Sequence, residues 1–576
     1  MTVPAVRRSI AGSDPKPQPP SCINTKRLAP WLAAALLHGV AQTAESTPGG
    51  GSEPRPAVVH SIAEVNDPLS HGVVGDGLLS VNEAIQLHNR TLLPMQLSLG
   101  ELAQLSGAGS DISWINIDAS SVPTITVERD FDVIQDWPHG FLLQGYNGDA
   151  EIDFTGPGVQ HGFRSTSNFC SWRNLILRGA PYGIDIQQTD ASFGGTVLDH
   201  VSFVGQAQFG CRVVGTSTNG FTRLLLTKCS FDGTPTPVVV DDSPLGRTGV
   251  LVCFDSEIRN AASGLDVLAG SGGALVAQIE RTSIECSGTA VAVRRAPGSD
   301  RSAQVSIVQL RAVAQNGLLV AGAPAGVTSV EARMLTMRCA AGDAMSVGSV
   351  GAGVDAVVED ADLEGSVRLV GGGAGGNVYA NNLRAAGPSV QLGSSGAAVR
   401  MRGSRLDGCG LTSVGTAPVG VEDTSVVGGT VQAGGLAPIA MTRCYAPGSW
   451  VGSVTSTSAT TSVLLGRLGL TPFGLLAGGT VQVTTDVPPG CVGFLVVGWT
   501  AQTPLLVNPD LHVYLDLGAS VTLPGILFGS LSQGIPIPND PAFWGTDWTV
   551  QLAVLAGQGS QSPPLQAPPG QRFVVR

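Results

Sequence analysis

Apolar and polar residues alternate in short runs along most of the chain, and from about Asn174 the runs return at a steady interval. "RNLILRG", "LDHVSFVG", "LTKCSFDG", "IERTSIECSG", "VQLRAVAQNG" and "ANNLRAAG" are examples. One equivalent position falls at Leu175, Val201, Cys229, Ser256, Thr282, Leu310, Leu335, Ala361, Leu383, Ser404, Thr424 and Cys444. The steps between them are 26, 28, 27, 26, 28, 25, 26, 22, 21, 20 and 20 residues. Alternation with period two places Val, Ile and Leu on one face of strand-sized pieces. A regular return of such pieces with glycine turns is the signature of a solenoid, in which each turn stacks on the last. The region has no long stretch of 3.6-residue periodicity and no Leu/Asn repeat, so helical and leucine-rich solenoids do not fit. The expected architecture is all-β, with a β-solenoid of roughly twelve coils, one for each repeated position.

Two other patterns bracket the repeat. Near the front, "GDGLLSVNEAIQLHN" reads as a turn followed by a helix. Ser80 and Glu83 form S-x-x-E, in which the hydroxyl accepts from the third helical amide and the carboxylate reaches back. Val81, Ala84, Ile85 and His88 then share one helix face. A second box, Ser98 to Glu101, opens "LGELAQLSG". The first coil of a solenoid exposes apolar side chains and a free strand edge, an aggregation hazard. An amphipathic helix over that end would plug it, and this reading is preferred to Asp76, Glu83 and His88 as a catalytic or metal cluster. Beyond "TSTSATTS" the repeat stops. "GTVQVTTDVPPGCVGFLVVGWT" and "DWTVQLAVLAG" are longer strands, which suggest a small antiparallel sandwich over residues 463–576.

Composition narrows the class. Glycine numbers 77 in 576 residues without a collagen period, and 43% apolar against 13% charged residues argues for burial rather than disorder. A net charge of −12 disfavours nucleic acid as a partner. Lys26 and Arg27 precede the apolar run "LAPWLAAALLHGVA" and small residues near Ala41 and Ala44, which reads as a signal peptide over 1–44. "ESTPGGGSEPRP", residues 45–56, reads as a linker, followed by the helical cap at 57–110 and the coils at 111–455. No membrane span is expected after signal removal, and the location expected is secreted or cell-surface. The cysteines after the signal show no CxxC pair and no zinc spacing, and sit in apolar runs as buried thiols do, with one or two disulfides an alternative.

These segments resemble a known family. The coils look like those of the right-handed parallel β-helix proteins, the pectate-lyase-like superfamily. "LSVNEAI" is similar to the CSLREA segment that opens many secreted bacterial β-helix proteins. Ser80, Glu83, Ala84 and Ile85 match it, while Leu79, Val81 and Asn82 depart from its Cys, Leu and Arg. "DISWINID", "PTITV", "GFLLQGYNG" and "AEIDFTG" read like the family's first coils. The resemblance spans about residues 57–455 and is informative about fold more than about function.

In a parallel β-helix, functional groups one coil apart stand in columns. One column is Asn174, His200, Lys228, Asp255 and Arg281. A carboxylate between cations there would stay ionised, and a neighbouring cation would lower the pKa of Lys228 or His200, leaving an unprotonated base able to abstract a proton from a uronate sugar. The plainer reading is a charge ladder on a solvated face. A second cluster is Asp232, Asp241 and Asp242, with Arg247 nearby. The resemblance implies that a lyase site would lie there, since pectate lyases hold calcium with carboxylates and use an Arg as base. Three carboxylates suit calcium, and the same stretch is also an ordinary strand ending in an Asp-rich turn. Beyond about residue 300, acids, bases and aromatics thin out. In the last segment, Trp499, Tyr514, Phe528, Phe543, Trp544 and Trp548 either line a sugar site or fill a core. The expectation is a structural, adhesive or glycan-interacting extracellular protein without a catalytic site. An extracellular polysaccharide or cell-surface component would be its partner. The alternative is a polysaccharide lyase or glycoside hydrolase acting from the early coils.

Overall fold

The computed structural model describes residues 61–575 except 108–111, 136–139, 189–194, 217–220, 243–247, 270–273, 296–301, 322–326, 349–352, 372–375, 397, 423, 435, 443, 445, 447–448, 457–466, 472–473, 476–478, 488–490, 509–510, 523–526, 541, 543–545, 556–564 and 567–570. The signal peptide and linker expected over 1–56 lie outside the described residues. Among the described residues, no helix is long and apolar enough to cross a membrane.

The chain enters through β1 (Ser61–Val65), followed by helix α1 (Val81–His88), the single-turn helix α2 (Leu99–Leu102), the short β2 (Leu105–Ser106) and β3 (Ile112–Asp118). Both sequence boxes cap as their spacing predicts. Ser80 accepts the Glu83 amide while Glu83 accepts the Ser80 amide, and Ser98 and Glu101 repeat the arrangement. The face predicted for α1 is the buried one: Val81, Ala84 and Ile85 are fully enclosed and His88 nearly so. The helix is laced to the next coil by its amide side chains. Asn82 Oδ1 accepts the Asp132 amide, and Asn89 donates to the Val133 carbonyl and accepts the Gln135 amide. The edge of the first coil is closed as well. β1 pairs in parallel with β3 on one side and antiparallel with β2 on the other.

From β3 onward the strands pair in parallel, coil on coil, and form a β-solenoid. Its registers are those read from the repeat. Leu175 pairs with Val201, Ser202 with Ser230, Ser230 with Glu257, and Glu257 with Ser283. Thr282 then pairs with Leu310, Ala361 with Leu383, and Arg405 with Ser425. All twelve repeated positions are buried. The regular solenoid has about nine turns rather than twelve. Towards its far end the period drops to about 20 residues and the strands shorten to three or four, as in Val399–Arg402, Arg405–Asp407, Val419–Glu422 and Ser425–Val427.

The shorter coils enclose smaller side chains. Trp172, Phe131, Phe154, Phe163, Phe203 and Phe231, among the largest fully buried groups, all precede residue 232, and Ala, Val, Leu, Ile, Met and Cys fill the later interior. Phe203 and Phe231 stack at 4.6 Å on successive coils. Glycine makes the room: a Cβ at Gly210 would lie 2.6 Å from the Phe231 ring and 2.6 Å from the Pro237 carbonyl. Interior Ser and Thr at the repeated position donate to the carbonyl two residues back, as Ser256 does to Phe254 and Thr282 to Glu280, so their hydroxyls are satisfied despite burial.

The last segment has two sheets. Arg467–Thr471, Thr480–Val487 and Gly529–Pro536 form one. Val492–Asn508, Leu511–Thr522, Asp547–Leu555 and Gln571–Val575 form the other, with the short strands Gly474–Leu475 and Leu565–Gln566 added. Pairing is antiparallel except between Gly474–Leu475 and Gln571–Val575. Val481, Val483 and Val487 of one sheet share a core with Leu495, Val497, Val550, Leu552 and Val554 of the other, which makes this segment a β-sandwich.

Candidate functional site

The column of Asn174, His200, Lys228, Asp255 and Arg281 exists, and its cause is the backbone. Each of these residues is left-handed, with φ of 51, 55, 52, 51 and 48°. Gln309, Met334, Asp360 and Asn382 continue the series on the following coils, and Gly403 takes the same conformation at φ 60°. The column is therefore the corner of the solenoid, where the chain bends between two strands just before the buried repeated position. Its side chains pair along the axis in places. Arg281 donates to both oxygens of Asp255 at 2.7 and 2.9 Å, and Asn382 donates to Asp360 at 2.7 Å. His200 instead meets its neighbour Asp199, at 2.9 Å. Arg281 and Asp255 are each about one third exposed, so the pair contributes less than about 1 kcal/mol.

Asp232 and Asp241 lie on different strands. Asp232 ends Ser230–Asp232, stacks in register on Val204 and Arg259, and accepts from Asn260 at 2.7 Å. Asp241 stands in register with Val214 and Leu268. Asp242 follows it in the same strand; its side chain, and Arg247 entirely, lie outside the described residues. Among the described residues, no group of three His, Cys, Asp or Glu is placed to hold a metal ion.

The residues richest in chemistry stand on another face, on β4 (Phe163–Ser165), β5 (Tyr182–Gln188), β6 (Phe209–Gly215) and β7 (Thr236–Asp242). These strands stack in order, one coil apart. His161 stacks on Tyr182 at 5.3 Å, and Tyr182 on Phe209 at 5.7 Å. Beside this ladder, Arg164, Asp185 and Arg212 share a register; Arg212 donates to Asp185 at 2.9 Å and sits 5.5 Å from the Phe209 ring. Gln187, exposed, and Asp241 complete the outer side of the same strands. At one end, Asp130 accepts from the Gln160 and His161 amides at 2.6 and 2.8 Å and meets His161 Nδ1 at 2.8 Å. Partial burial works to raise the Asp130 carboxyl. Bonds from the His161 ring and these amides outweigh it, so the group sits below the ordinary carboxylate range. The imidazole is thereby oriented with Nε2 away from the carboxylate. Sequence reasoning missed Asp130 and His161 because 31 residues and two irregular segments separate them.

A further concentration lies where charges looked sparse. Arg338 meets Asp362 at 2.8 Å and Glu364 at 3.4 Å; Arg384 lies 3.9 Å from Asp362 and 3.6 Å from Asp407; Arg405 meets Asp407 at 2.7 Å. Asp362 and Arg384 are buried. Burial, and then Arg338, work against the charge of Arg311 on the preceding coil. Asp362 and Asp407 are shared among Arg338, Arg384 and Arg405, of which Arg384 and Arg405 stand in direct register, the arrangement of a structural network.

All nine described cysteines are buried thiols outside any disulfide. In the sandwich, Trp499 and Trp548 pair in register across strands with rings 6.4 Å apart, and Trp499 and Phe528 are exposed, so they are not core residues. Phe543 and Trp544, and the side chain of Tyr514, lie outside the described residues. Comparisons with protein-family models, curated proteins and solved structures found no match.

Proposed function

We propose that the chain is a secreted or cell-surface right-handed β-helix, akin to the pectate-lyase-like superfamily, that engages extracellular polysaccharide without transforming it. The observation that carries this reading is the outer face of β4 to β7. There an aromatic ladder of His161, Tyr182 and Phe209, with Asp185, Gln187 and Arg212 beside it, runs along the axis over three successive coils. A short stretch of polymer lying along the axis would meet both kinds of contact. Apolar ring edges beside hydrogen-bonding side chains suit the mixed surface of a sugar. The exposed Trp499 offers a second platform. Pull-down on insoluble glycans, followed by calorimetry on the polymer retained, tests the proposal. Tyr182→Ala with Gln187→Ala should weaken retention at least tenfold; unchanged retention of every glycan the native chain binds would overturn it.

The Asp130–His161 pair favours the second reading, a polysaccharide lyase or hydrolase on the early coils. A carboxylate that orients an imidazole leaves Nε2 placed for proton transfer. Uronate polymers assayed with and without calcium separate the two. Unsaturated products lost in His161→Ala or Asp241→Ala would establish the enzyme.

A further inference from the structure

The helix that plugs the solenoid is fastened at its N-terminal end by buried groups that titrate. Glu83 is 2% exposed; its Oε2 accepts the Ser80 amide, while its Oε1 is buried without a hydrogen-bond partner. Asp67, on the segment after β1, crowds the same spot. A Cβ at Gly72 would come 2.6 Å from Asp67 Oδ2 and 3.0 Å from Glu83 Oε2. Glu101 of α2 is fully buried and holds the Gly75 amide, and Asp76 stands on the intervening turn. Glu128 faces Asp67 from the next coil. Among the described residues, none of these carboxyls forms an ion pair. At the other end of α1, His88 is 3% exposed, with Nδ1 2.6 Å from the Ile112 carbonyl and Nε2 3.3 Å from the Gln135 carbonyl. A neutral imidazole has one N–H and donates to one carbonyl; an imidazolium donates to both. Phe141 meets the ring edge-on at 5.2 Å.

We propose that α1 is a proton-dependent latch, tightest in acid and loosened as the pH rises, so that the open end of the first coil is covered or uncovered by pH. Burial raises the Glu83 carboxyl, its bonds with Ser80 pull it back, and Glu101 and Asp76 add to the rise. Asp67 moves the same way, through burial first. A raised carboxyl binds its proton more tightly in the folded state than in the unfolded one. Its contribution to folding is complete below the ordinary value of 4.5 and is lost as the pH rises through the folded value.

Hydrogen exchange on the full chain at pH 4 and pH 8, corrected for the intrinsic rate, tests this. Protection of the amides of residues 84–89 should fall from the lower pH to the higher relative to those of Leu310–Ala314. Glu83→Gln keeps the cap, because Gln serves at the same position, removes that titration and should diminish the fall. Equal protection at both pH values in the native chain overturns the proposal, as does an undiminished fall in Glu83→Gln. Should the variant not fold, the native profile decides.

Discussion

At the solenoid corner, side chain and backbone make different demands. The left-handed conformation costs an ordinary L-residue about 1–2 kcal/mol and costs Asn and Asp least, because their short polar side chains bond locally. Asn174, Asp255, Asp360 and Asn382 fit that preference, whereas His200, Lys228, Arg281, Gln309 and Met334 are held there by the stacked coils on either side. Lys228→Val should therefore lower stability by about 1–2 kcal/mol, since a β-branched residue tolerates positive φ worst. Lys228→Asn should be neutral or stabilising. Denaturant midpoints for the two variants, read by far-ultraviolet circular dichroism, check the order, and a reversed order would mean that the corner is not the controlling feature. The interior thiols give a second prediction. Burial pushes Cys229 up to about 12 and Cys253, Cys339 and Cys409 up to about 11. Nine of the ten cysteines are buried thiols, so no more than one should react with a disulfide reagent at pH 8 until the chain is denatured.

Among the elements, α1 joins local propensity to long-range packing. Its cap is local, so Ser80→Ala should cost about 1 kcal/mol. Its buried face is not local, and Ile85→Asp places a carboxylate in a fully enclosed position. That variant should aggregate or lose the cap, and a soluble monomer of native stability by size-exclusion chromatography and thermal melting would show that the helix is not a plug. Both features were legible in the sequence because capping and helical periodicity act within a few residues. The coil registers were legible for a similar reason: alternation identifies the buried face, and the repeat aligns one coil with the next. The corner was not, because a φ angle leaves little trace when His, Lys and Arg share the position with Asn and Asp. The available signal was the recurrence of Asn, Asp or Gly just before a buried residue, at Asn174, Asp255, Asp360, Asn382 and Gly403. The Asp130–His161 pair and the network from Arg338 to Asp407 left even less trace. They arise from stacking of segments that are unremarkable when read singly, so residue frequency along the chain does not disclose them.

At the scale of the whole molecule, each coil bonds chiefly to the coils above and below it. Stability in such a chain is close to a sum of coil and interface contributions, and register is the quantity that a change of length must preserve. The last coils provide a direct test. Ser404 and Thr424 are equivalent, 20 residues apart, and each hydroxyl donates to the carbonyl two residues back, of Arg402 and Glu422. Removing residues 404–423 would join the left-handed Gly403 to Thr424. Thr424 would then follow Arg402 at the same spacing, and its oxygen would stand where Ser404 now accepts the Leu383 amide. The interior side chains stay inside, because a whole coil has been removed. Removing ten residues, 404–413, instead places Val414 after Gly403 and shifts every later strand out of register, so that buried and exposed sets no longer stack. The whole-coil deletion should remain folded, with a strand spectrum close to native and a melting temperature lowered by only a few degrees. The half-coil deletion should lose the cooperative transition of the far coils or precipitate. Equal behaviour of the two deletions in circular dichroism and thermal melting would mean that stacking register does not govern the stability of this chain.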